Sequence, residues 1–226
     1  RHSPAACHEL GLVSALYSML RDPEPTVVSF TLQTLKVILE KDGVRINKKM
    51  ARYLLSRVVH YREKEFCFVV DFLHTPDWDE DLTLETLNSL DSFLDQSDGN
   101  VMLGVAKLFI KLVQNSSSLR SSLIKRIVPV FASYLNSSSQ REFNHHLLEY
   151  IRIMDQDYIE ALRPHVKVFF PKTRDSEKLK ITKIKFLPNL ILEDTAMESI
   201  NFILNLLPQS RSLNMAVFET LACICT

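Results

Sequence analysis

The chain has 226 residues, 46% of them hydrophobic, and its 27 Lys and Arg balance 27 Asp and Glu. That apolar content suffices for a continuous core and excludes a disordered chain, while zero net charge excludes a global field that steers a protein to nucleic acid or a membrane. Only 4 Gly, and long runs of Leu, Ile, Val, Lys and Glu without strict alternation, exclude a turn-rich β-sandwich and point to helices.

The chain opens without Met on RHSPAACHEL and closes on an apolar LACIC segment, which reads as a piece of a longer protein. A polar turn at Arg21–Pro25 precedes Val28, Leu32, Leu35 and Leu39, whose spacings of four, three and four predict one buried face of a helix. A second turn ends at Gly43. Asp77, Asp79, Glu80 and Asp81 flank Trp78; with neither the Gly nor the later Glu of a calcium loop, they read as a helix-capping acidic loop. Leu84, Leu87, Leu90 and Leu94 predict the next amphipathic helix, with Thr83 as its cap. After Gln96–Asn100, the positions Val101, Val105, Leu108 and Leu112 repeat the pattern. Lys107 and Lys111 interrupt Val101–Val113, so this most apolar stretch is not expected to span a membrane, and no basic start followed by an apolar run marks a signal peptide. Asn115–Ser118 and Asn136–Gln140 are further turns. Pro129, Pro164, Pro171 and Pro188 are expected to kink or end helices.

Met19–Leu39 aligns with Phe93–Val113 position by position: an apolar end, a polar turn and an apolar helix. The offset equals two units of about 37 residues, close to the length of helical-pair repeats. Further helix ends are expected at Leu135, Phe170 and Leu207. The expected fold is all-α, a HEAT/armadillo-like α-solenoid over residues 1–226, with about six helix pairs stacked as a right-handed superhelix.

No catalytic, cofactor-binding or metal-ligating set emerges. His145 and His146 are adjacent, so on a helix they point about 100° apart and cannot share one ion. Cys223 and Cys225 lack a two-residue spacer and a second ligand pair, and with Cys7 and Cys67 they read as reduced thiols of a reducing compartment. No GxSxG, HExxH, P-loop or GxGxxG motif occurs, so the chain is not read as an enzyme. Charge is nevertheless sorted along the sequence. Asp77–Asp98 holds eight acids and no Lys or Arg, and Arg163–Lys185 holds eight bases against Asp175 and Glu177. The bland reading is two solvated surfaces. The sharper one makes Lys167, Lys172, Lys178, Lys180, Lys183 and Lys185 a partner or membrane surface, with no nucleic-acid role because exposed aromatics are not interleaved.

The segments LVSALYSMLRDPEPTVV and LQTLKVILEKDGVRINKKMARYLLSRV within Leu12–Val59, followed by VVDFL, SLDSFL, NVMLGVAKLFIKLV and EKLKITKIKFLPNLILED, resemble the large-subunit trunk of beta adaptins. Within that family the sequence is most similar to the beta subunits of the fourth heterotetrameric adaptor complex. It departs at Lys64–Phe66, which is Lys-Glu-Phe where the family commonly carries Trp-Gly-Gln. The resemblance implies a scaffold subunit of a coat complex in vesicle-mediated transport, partnered by second large, medium and small chains and by an Arf-type GTPase. It also implies a peripheral place on the cytosolic face of trans-Golgi network and endosomal membranes, supporting selection of transmembrane cargo. The alternative is another helical-repeat scaffold, of nuclear transport or signalling. An Asn or Trp ladder would mark an armadillo peptide groove, and Trp78 is the sole Trp.

Overall fold

The computed structural model describes residues 11–39, 46–74, 78–95, 98–137, 141–207 and 210–225. The described residues form helices and turns without a strand, as the sequence periodicity requires. They divide into two compact units, 1–120 and 121–226.

The first unit comprises α1 (Leu12–Met19), α2 (Pro25–Ile38), α3 (Lys48–Ser56), α4 (Glu63–Phe72), α5 (Glu80–Leu90) and α6 (Gly99–Leu112), with 3-10 turns at Val58–His60 and Asp91–Asp95. Helices α2, α4 and α6 pack side by side in one row, α3 packs on α5, and α1 and α5 cover α2 and α6. Starts at Pro25, Glu63 and Gly99 place successive row members 38 and 36 residues apart. Two of these turns of the chain reproduce the predicted offset, and α2 and α6 both run for 14 residues. Burial follows the same register. Leu20, Val28, Thr31, Leu32, Leu35 and Leu39 are buried, and so are their counterparts Leu94, Met102, Val105, Ala106, Phe109 and Val113. The fold is therefore an all-α HEAT/armadillo-like stack of helix pairs, in which each pair covers its neighbour's apolar face.

Local chemistry sets the helix starts. Gly11 opens α1 at φ 67°, a left-handed conformation that a side chain would strain. Pro25 stands in the first turn of α2, where its missing N–H costs nothing. Asn47, Asp79 and Asp98 cap α3, α5 and α6 by accepting from the N–H groups of Met50, Leu82 and Val101 at 2.8–2.9 Å.

Three expectations need correction here. Of the predicted leucine series Leu90 and Leu94 are buried, but Leu87 is half-buried and Leu84 is 39% exposed, and the buried stripe of α5 is Leu82, Thr83, Thr86 and Leu90. Thr83 is accordingly an interior residue, and Asp79, four positions earlier, is the cap. At the end of α6, Val113 takes the core position and Leu112 is half-buried. In each case the cap position sets the helix phase, and two or more apolar stripes competed for the core face.

The second unit contains most of α7 (Ser117–Asn136), then α8 (Arg141–Ile151), α9 (Gln156–Leu162), a 3-10 turn Arg163–Phe169, α10 (Glu177–Phe186), α11 (Glu193–Leu204) and α12 (Arg211–Cys225). A short 3-10 turn, Leu187–Asn189, follows α10. The expected helix ends fall at Asn136, Phe169 and Leu204, within three residues of the sequence reading. Helices α8, α10 and α12 form a row, with α11 packed on α12. Pro164 and Pro188 occupy first turns of 3-10 segments, as expected of proline. Pro129 does not end its helix: α7 continues to Asn136, and Ile127, Val128, Val130 and Phe131 around it are buried.

Candidate partner-binding surface

Apolar burial alone does not fix the spacing of repeats, and a ladder of polar contacts one repeat apart adds to it. In the first unit Lys36 pairs with Asp71 at 3.0 Å, Lys48 with Asp79 at 2.6 Å and Arg52 with Glu85 at 2.8 Å. Thr26 donates to Glu65, whose other oxygen takes the Arg62 N–H. Arg57 is the most connected of these groups. It donates to the carbonyls of Asp22 and Pro23 and to the Tyr53 hydroxyl, which in turn donates to the Arg21 carbonyl. A cation of one repeat thus closes the turn of the repeat before it, and Lys111 treats the His74 carbonyl in the same way at 2.6 Å. Sequence reading missed this clasp; its signal is a base about 36 residues after a polar turn.

The acidic stretch 77–98 is read by its neighbours in the same terms. Asp79 and Glu85 face Lys48 and Arg52 of α3, so these acids find cations within the chain. The Lys48 ammonium, and then the Leu82 N–H, hold the Asp79 carboxyl below its ordinary range. Asp77 lies outside the described residues.

The six lysines proposed from sequence do not form one surface. Lys167 pairs with Glu198 at 2.8 Å and Lys185 with Glu219 at 2.9 Å, each pair bridging neighbouring elements. Lys172 donates to the carbonyl and side-chain oxygen of Asn136 at the end of α7. Lys183 contradicts the expectation outright. It is wholly buried and meets Asp175 at 2.8 Å, while Asp175 also accepts the Lys172 N–H at 2.9 Å. Its position on the inner face of α10, next to buried Thr182 and Ile184, leaves no route to solvent, so an internal carboxylate supplies the countercharge that burial requires. Burial pulls the Lys183 ammonium below its ordinary value, against the opposing pull of Asp175. Lys178 is exposed, Lys180 is half-buried, and Arg174 beside them is exposed.

His145 and His146 have ring centroids 6.3 Å apart, tilted by 41°. Burial, then the nearby Lys178, lowers the His145 value. Cys67 is half-buried and Cys223 exposed, both as free thiols; burial pushes the Cys67 thiol up to about 11. Cys7 and the Cys225 side chain lie outside the described residues. At the departure from the family pattern, Phe66 stacks on Phe93 with centroids 4.5 Å apart and fills the core, and Lys64 stays in solvent.

A cleft of about 820 Å³ opens beside that stack. Val59, Tyr61, Phe66, Phe93 and Val101 line it, with Arg62, Glu63, Lys64 and Glu65 at its edge. Burial pushes the Tyr61 phenol up to about 12. Cations and anions alternate at the edge, and no nucleophile–base pair converges there, so the cleft offers contact area more than chemistry.

Comparison with known proteins follows the same lines. Residues 2–111 match the family described as Cnd1, non-SMC mitotic condensation complex subunit 1. The chain is 31% identical over 191 residues to AP-4 complex subunit beta-1 of Mus musculus, covering 83% of this chain and 26% of that protein. It is 25% identical over 195 residues to AP-4 complex subunit beta of Dictyostelium discoideum, covering 85% and 23%. To AP-1 complex subunit beta-1 of Saccharomyces cerevisiae it is 25% identical over 192 residues, covering 82% and 26%. The chain spans about a quarter of the length of these curated relatives. Over four-fifths of its own length it is similar to beta subunits of adaptor complexes, of the fourth complex in two of the three cases.

Proposed function

We propose, from the premise that this chain resembles a beta-adaptin trunk, that it is a scaffold segment of a heterotetrameric adaptor coat complex. The observation that carries the reading is the similarity to adaptor beta subunits over more than four-fifths of the chain, which reaches both units. Repeats of similar length in both units support one continuous array over 1–226. In that role the chain contributes contact area and no catalysis. Its partners are the second large, medium and small chains, with the medium subunit's longin-like amino-terminal domain against the concave face of the array and an Arf-type GTPase as a further contact. The complex then sits on the cytosolic face of trans-Golgi network and endosomal membranes and supports cargo selection. Of the six lysines, Lys178 and Lys180 remain as cations to present to a partner or to anionic headgroups, with the exposed Arg174 beside them.

Co-expression of a full-length version with a tagged medium subunit tests this. Co-purification of the pair at equal stoichiometry is expected. Separate elution of two folded proteins would remove the adaptor reading. The match of residues 2–111 to a condensation-complex subunit family then favours the second reading, a different helical-repeat scaffold.

A further inference from the structure

We draw no further inference here: the strongest candidate, the cleft of about 820 Å³ where the turns Val58–His60 and Asp91–Asp95 meet the starts of α4 and α6, has cations and anions side by side at its edge in Arg62, Glu63, Lys64 and Glu65, and nothing in the structure shows what covers it.

Discussion

Replacing Asp175 by Asn keeps the size of the side chain and removes its charge, leaving the Lys183 ammonium buried with no counterion. The structure sets the scale: the lysine side chain is 0% exposed, the carboxylate 10%, and the pair closes at 2.8 Å. Breaking such a pair from one side costs about 3–5 kcal/mol, because the remaining charge stays desolvated. For a chain of this size that is a fall of about 10 °C in melting temperature, at roughly 2–4 °C per kcal/mol. Lys183→Met is expected to behave oppositely. It leaves Asp175 with the Lys172 N–H and a path to water, and it fills the same space with an apolar chain, so its cost is about 1 kcal/mol or less. Adding Lys183→Met to Asp175→Asn should recover most of the loss. Guanidinium unfolding followed by circular dichroism, with hydrogen exchange over α10, measures this; the sole tryptophan, Trp78, reports from the other unit. A cost below about 1 kcal/mol for Asp175→Asn, or equal costs for the two single variants, would refute an obligatory buried countercharge.

Leu32→Ala, which empties a fully buried position, should cost about 2–5 kcal/mol, and Leu84→Ala less than about 0.5, measured by the same unfolding assay. Arg57→Met should destabilise by about 1 kcal/mol or more by leaving the Asp22 and Pro23 carbonyls without their donor, with faster hydrogen exchange in the turn 21–25. His74 and His145 are both held below the ordinary histidine value, first of all by burial. The unfolded chain therefore binds protons at higher pH than the native one, and stability should fall as pH drops below about 6.5, a loss that His74→Asn and His145→Asn reduce in melting curves. Alkylation by iodoacetamide near pH 8 should modify Cys223 before Cys67, since the Cys67 thiol is half-buried and pushed to about 11; mass mapping gives the order.

The apolar periodicity of residues 28–39 and 101–113 determined helix type, repeat length and, apart from Leu112, which of the predicted residues are buried, because a 3.6-residue period admits one face when the stripe is narrow. The turn at Arg21–Pro25 and the similarity to adaptor beta subunits were equally legible, since both rest on consecutive residues. Residues 82–94 were not legible in the same way. Their leucines make more than one stripe, and the phase was decided by Asp79 as cap and by the surface that α6 and the turn Asp91–Asp95 present. The basic segment shows the limit most plainly. Charge density along Arg163–Lys185 is a property of the chain, whereas the direction of each lysine depends on which neighbour lies one repeat away. Glu198 and Glu219 neutralise Lys167 and Lys185, Asn136 occupies Lys172, and Asp175 follows Lys183 into the core. Those partners are 31 to 36 residues distant or on the inner side of a helix, and only packing brings them into range.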